Sequence, residues 1–205
     1  MYFWWLYAKE DAPSTIYELS SSIALKINVK PFKTIKVSSI LPIANAVTIG
    51  PICRRLILTK TLLDLLTIDE LKGVLLHEYA HCRLKHGIKL MIITILMAIP
   101  IILLIYYILM TIESELLSIC LSIIIFIPLY ITLILVTRIY SRKFEIEADI
   151  FATNNLENPM IYLSILRKIK MVNSHSNSPK IRFLFSTHPS IDKRIEIIES
   201  ILQTK

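Results

Sequence analysis

The chain has only three glycines and three cysteines in 205 residues, and two long stretches of it carry no charge at all. So few glycines exclude a collagen-like chain, and a hydrophobic fraction of 54% with a mean hydropathy of +0.60 excludes a disordered one. Cys53, Cys82 and Cys120 are odd in number and lack CxxC spacing, so neither a disulfide framework nor a thiolate metal site is expected, which fits a reducing compartment. The opening stretch Met1–Tyr7 has no basic n-region or small-residue cleavage site and is too short to span a bilayer. Its aromatics suit a membrane-surface anchor and an ordinary core equally well. The net charge is +7, yet no zinc-finger, RNP-like or basic-helix pattern organises the Lys and Arg residues. Nucleic acid is therefore not an expected partner, and an anionic lipid surface is.

The uncharged stretches run from Leu90 to Ile112 and from Leu116 to Thr137. A helix needs about 20 apolar residues to cross the hydrocarbon core, so both qualify as spans. Only Glu113-Ser114-Glu115 separates them, which predicts an antiparallel hairpin over 88–137. Pro100 and Pro128 predict kinks that membrane helices tolerate. Arg83, Lys85 and Lys89 precede the pair, Arg138, Arg142 and Lys143 follow it, and the tip is acidic. By the positive-inside rule the open ends are cytoplasmic, so residues 1–87 and 138–205 form two halves of one cytosolic domain.

Ahead of the hairpin, Ala12–Asn28 reads as an amphipathic helix with Ile16, Leu19, Ile23 and Ile27 on one stripe. Short apolar runs, Ile35–Leu41, Ala44–Ile49 and Leu56–Leu58, are broken by Pro42 and Gly50-Pro51, as in a small antiparallel sheet. Behind it come a helix through Asp149, another over Asn158–Val172, a polar loop from Asn173 to Lys180, and a last helix N-capped by Ser190.

Thr67-Ile-Asp-Glu70 is a capping box that opens a helix over about 68–86, and this helix carries His77-Glu78-Tyr79-Ala80-His81. Two histidines four apart project from one face, where both imidazoles reach one zinc ion. Glu78, rotated about 100° from His77, sits beside a zinc-activated water as general base. His86, five residues past His81 on a continuous helix, turns off that face and is read as ordering the helix end. A catalytic zinc wants a third protein ligand. Glu145 and Asp149 share a face at i and i+4 just past the second span, whereas Glu147 lies about 200° round and points elsewhere. Glu145 is the expected ligand, and Asp149 the group that orients a ligand histidine through its other ring nitrogen. His188 is by itself a loop histidine before a proline, and His175 a solvated one.

HExxH, two intervening spans and then Ser141-Arg-Lys-Phe-Glu-Ile-Glu-Ala-Asp149 together resemble the HtpX-like membrane zinc metallopeptidases, gluzincins related to the CAAX prenyl endopeptidases. The likeness extends over roughly Ser38–Ile195 and includes Asn45-Ala46, the Ile57–Leu66 run and Ser186–Ile195. It implies a cytosol-facing protease with one zinc per chain held by His77, His81 and Glu145, and with His188 and Arg194 near the site. His188 would serve as an oxyanion donor, a fourth zinc ligand or a structural residue. Asn45 and Ala46 would belong to an edge strand along which extended substrate pairs. Relatives usually carry spans ahead of the catalytic segment, and Met1–Ala8 is read as at most a remnant of one.

The expected fold is α+β and mainly helical, a zincin-type domain with a small antiparallel sheet interrupted by a two-helix transmembrane hairpin. The expected function is a zinc metalloendopeptidase of the plasma membrane that acts on protein or peptide substrates, chiefly membrane proteins under quality control. Its rivals are a CAAX-type prenyl protein processor, which needs a larger multispan chamber, and a silent zinc-containing scaffold or sensor, which has no use for Glu78. No sequence feature selects a cleavage site or an oligomeric state.

Overall fold

The computed structural model describes residues 8, 10–40, 42–175 and 189–203. The expectations for Met1–Tyr7 and for His188 lie outside these residues.

Four strands, β1 (Glu10–Asp11), β2 (Thr34–Ser38), β3 (Ala46–Ile49) and β4 (Arg55–Thr59), form one sheet in the order β1-β2-β4-β3. The sheet is mixed and not wholly antiparallel: β1–β2 and β3–β4 are antiparallel, but β2 runs parallel to β4. The β3–β4 hairpin turns through Gly50 at φ +84° and returns β4 between β2 and β3, so β4 enters in the direction of β2. Local apolar runs cannot reveal that insertion, because strand direction depends on the connection and not on side-chain pattern. β3 is left as one edge of the sheet.

Helix α1 (Ser14–Lys26) follows Pro13, and α2 (Lys60–Leu65) is capped by the Thr59 side chain. The central helix α3 (Ile68–Arg83) starts at the capping box read from sequence: the Thr67 side chain accepts from Glu70 N, and the Glu70 side chain accepts from Thr67 N. Glu70 also accepts from Ser164 Oγ (3.0 Å) and Lys168 Nζ (2.8 Å), which ties α6 (Met160–His175) to the start of α3. Gly73 makes that packing close, since a Cβ there would meet Ile165 Cδ1 at 2.5 Å. Tyr79, fully buried on the opposite side, stacks on Phe32 (4.3 Å) and bonds Ser20 Oγ (2.6 Å), fixing α1 against α3.

α3 ends earlier than expected. Lys85 adopts a left-handed conformation (φ 56°), and His86 opens a new helix, α4 (His86–Thr111), instead of closing α3. α5 (Glu115–Asn155) is one unbroken helix of 41 residues, about 60 Å long at 1.5 Å per residue, or roughly twice the thickness of a bilayer's apolar core. Pro100 and Pro128 lie within α4 and α5 without ending either. Both helices are long and apolar enough to cross a membrane. Their large side chains face outward, among them Leu96, Leu103, Met110 and Ile124. Outward apolar surface on this scale marks a face that meets lipid or another protein.

The polar stretch read as a loop from Asn173 continues α6 through His175. Asn173 Oδ1 accepts from Ala44 N (2.9 Å) and its Nδ2 donates to Ala44 O (3.1 Å), pinning α6 to the approach of β3. The last helix, α7 (Ile191–Gln203), has Lys193 N on Ser190 Oγ (3.3 Å), the cap expected there.

Candidate metal centre

α3 and the lower part of α5 pack side by side, so the residues of one turn on each helix meet. His77, His81 and Glu145 each offer one ligand atom, all within 4.8 Å of one another. The Nε2 atoms of the two histidines are 3.3 Å apart, and Glu145 places Oε2 3.7 Å from His77 Nε2 and Oε1 3.5 Å from His81 Nε2. Tetrahedral zinc with ligands at about 2.0–2.1 Å needs ligand atoms roughly 3.3–3.4 Å apart, so the three residues fit that ion in spacing and in chemistry.

His77 turns its other nitrogen away from the cluster, where Nδ1 donates to Asp149 Oδ1 at 2.9 Å. Tyr162, which sequence reading missed, donates to Asp149 Oδ1 (2.6 Å) and lies 2.9 Å from His77 Nδ1. Arg194 completes the group with Nε to Asp149 Oδ2 (2.7 Å) and Nη2 to Oδ1 (2.6 Å). Burial opposes the charge on Asp149, yet Arg194 and His77 outweigh it and hold the carboxyl at about 2. Burial likewise opposes charge on His77, but its bonds to Asp149 and Glu145 prevail and lift it to about 10. Burial, then the charge of Asp149, pushes the Tyr162 phenol up, so it stays a donor.

Glu78 lies on α3 beside the ligands and is buried, and Thr48 Oγ1 of the edge strand donates to its Oε2 at 2.6 Å. Asn45 shapes the entry to that strand: its Oδ1 accepts from Ala46 N (3.0 Å), its N donates to Thr59 Oγ1 (2.9 Å) and its carbonyl accepts from Thr59 N (3.0 Å). Asn45 and Ala46 therefore sit at the start of the strand that reaches Glu78. On the far side of His81, His86 Nδ1 is 3.1 Å from His81 Nδ1, and His86 Nε2 is 3.1 Å from Glu147 Oε2. Glu147 does point away from the cluster, as expected, but toward His86. Burial lowers the pKa of His86. Cys82 Sγ donates to Glu78 O at 3.4 Å, and the neighbouring Cys53 thiol followed by burial pushes the Cys82 thiol up.

Residues 13–202 match the model of peptidase family M48. The chain belongs to that family. It is 29% identical over 176 residues to a protein called protease HtpX homolog in two strains of Bacteroides fragilis, an alignment covering 69% of this chain and 54% of the relative. The chain spans about half the length of these curated relatives. Its fold is similar to that of Ste24p from S. mikatae, with a TM-score of 0.65 at 20% identity, over 93% of this chain and 50% of that one.

Proposed function

We propose that this M48-family chain is a membrane-embedded zinc metalloendopeptidase with its centre on the cytoplasmic side of the plasma membrane. The observation that carries the metallopeptidase reading is the spacing of His77 Nε2, His81 Nε2 and Glu145 as three corners of one tetrahedral site. Residues 88–137 are the transmembrane hairpin, and 1–87 and 138–205 are the two cytosolic parts of the catalytic domain. The outward apolar faces of α4 and α5 and the basic residues at their open ends support that division.

His77, His81 and Glu145 would hold the ion, which supplies a Lewis acid able to acidify water and polarise a carbonyl. Asp149, itself held by Arg194, accepts from His77 Nδ1, so the proton that a metal would displace from His77 is the one on Nε2, which faces the cluster. Glu78 is the general base: its carboxylate accepts the proton of the attacking water and returns it to the nitrogen of the leaving amine. Substrate would lie extended along the free edge of β3, starting beside Asn45 and Ala46, so that main-chain pairing presents the scissile bond to Glu78. His188 enters through the family resemblance alone, as a donor to the developing oxyanion, a fourth ligand or a structural residue.

Substrates are membrane proteins or cytosolic loops close to the bilayer, handled in quality control. The purified chain in detergent is assayed on casein with and without zinc, alongside a prenylated CAAX peptide. Zinc-dependent casein cleavage supports the proposal; cleavage confined to the prenylated peptide favours CAAX-type processing, and zinc binding without cleavage favours a silent scaffold.

A further inference from the structure

His77 is oriented by Asp149, but Asp149 does nothing for the second histidine of the cluster. We propose that Glu147 and His86 form a hydrogen-bonded relay that positions His81, fixing its tautomer so that its Nε2 lone pair faces the metal site. This inference rests on the metal-binding assignment above and concerns two residues outside the ligand set.

With both rings neutral, the chain of bonds has one consistent reading. A carboxylate can only accept, so at 3.1 Å from Glu147 Oε2 the proton of His86 belongs on Nε2. Neutral His86 then presents a bare Nδ1, which accepts from His81 Nδ1–H across 3.1 Å. With its proton on Nδ1, neutral His81 has its lone pair on Nε2, the atom 3.5 Å from Glu145 Oε1 and 3.3 Å from His77 Nε2. One carboxylate, two rings away, thus sets which atom of His81 is free to bind.

The relay is held on every side. His86 is 3% exposed, its ring stacks on Phe144 (centroids 4.5 Å, 7°) and meets His81 edge-on (5.1 Å, 76°). Phe144 and Glu147 both come from α5, on the side that does not bear Glu145. The left-handed turn at Lys85 allows His86 to fold back, because on a continuous helix it would point away from His81. Gly87 seats the start of α4 against the β3–β4 turn, since a Cβ there would come within 3.0 Å of Pro51 Cα. Lys143 approaches the other oxygen of Glu147 from solvent at 4.0 Å.

The test is the zinc dissociation constant of the detergent-solubilised full chain, measured by competition with a chromophoric chelator and checked for folding by circular dichroism. His86→Ala and Glu147→Leu, which leaves no acceptor for His86 Nε2–H, are each expected to weaken zinc about ten- to a hundredfold. The double variant should bind no worse than His86→Ala, because the two act in series. Glu147→Asp should restore part of the affinity, and Lys143→Gln should leave it unchanged. Folded Glu147→Leu that binds zinc like the unaltered chain overturns the relay, as do losses that simply multiply in the double variant. If the unaltered chain binds no zinc, the metalloprotease assignment falls and the relay with it; intact binding with indifferent variants overturns the relay alone.

Discussion

Thr48 Oγ1 donates to Glu78 Oε2 across 2.6 Å, so the edge strand of the sheet holds the carboxylate of the HExxH helix directly. A general base held in place in this way supplies about 10²–10⁴-fold in rate. Glu78→Gln keeps the shape and a hydrogen-bonding group for Thr48 but removes the basic oxygen. It is expected to retain zinc and thermal stability while losing cleavage by at least that factor. Proteolysis at the original rate in purified Glu78→Gln would remove Glu78 from the mechanism.

Chelation tests the ligands as a set. Zinc at about 100 times its dissociation constant should stabilise the folded chain by roughly 2.7 kcal/mol through mass action. His77→Ala, His81→Ala and Glu145→Ala should each abolish the gain, whereas a substitution at His175, which is no part of the proposed ligand set, should preserve it. The readout is chemical denaturation with zinc and with EDTA, and equal curves for the unaltered chain under both conditions would contradict a zinc site.

Asp149 is fully buried with Arg194 on both of its oxygens. Breaking a buried pair from one side strands a charge, at about 3–5 kcal/mol. Asp149→Ala should therefore destabilise the protein far more than an exposed substitution does, and should also weaken zinc, because His77 loses the acceptor at its Nδ1. Denaturation midpoints together with zinc affinity check both effects, and a stable Asp149→Ala with unchanged zinc affinity would contradict this placement.

The groupings that follow from local pattern are legible in the sequence. Thr67 and Glu70 announce the start of α3, the i, i+4 spacings align His77 with His81 and Glu145 with Asp149, and the uncharged runs mark α4 and α5. Relations that depend on how distant pieces meet are not. Tyr162 sits in an apolar helical stripe and looks like core, since the partner of its hydroxyl lies on another helix. His86 was assigned by assuming one continuous helix, and the break comes at Lys85, a residue type that does not advertise a left-handed turn as Gly or Asn would. The β2–β4 pairing and the Thr48–Glu78 contact depend on the crossover, which no stretch of apolar residues encodes.

Glu70 offers a pH signature away from the metal site. Burial raises its pKa, but Lys168, the Thr67 backbone N–H and Ser164 outweigh that and bring it below the ordinary glutamate value. A carboxylate whose pKa is depressed on folding adds stability that is complete above its unfolded pKa of about 4.3 and disappears as pH falls through the folded value. Glu70→Gln retains a capping-box side chain but not the charge that meets Lys168. It should cost about 1–3 kcal/mol at neutral pH. The gap between the two proteins should close as the solution is acidified below about pH 4. Urea denaturation at stepped pH gives the curve, and a gap that widens on acidification would have the wrong sign.

The proposed orientation in the bilayer rests on charge at the ends of α4 and α5. Arg83, Lys85, Lys89, Arg138, Arg142 and Lys143 lie at the open end, while Glu113 and Glu115 flank Ser114 at the tip. Basic flanks are retained in the cytoplasm, so the proposed topology puts the tip outside. With Cys53, Cys82 and Cys120 replaced by Ser, a single cysteine at Ser114 should react with a membrane-impermeant maleimide on intact cells. A single cysteine at Arg138, about 36 Å along α5 from Ser114 at 1.5 Å per residue, should react only after the membrane is opened. The same helix continues to Glu145 and Asp149, so the labelling pattern also fixes the side on which the metal centre lies. Labelling of Arg138→Cys but not Ser114→Cys on intact cells would put that centre outside the cell and overturn a cytosolic protease.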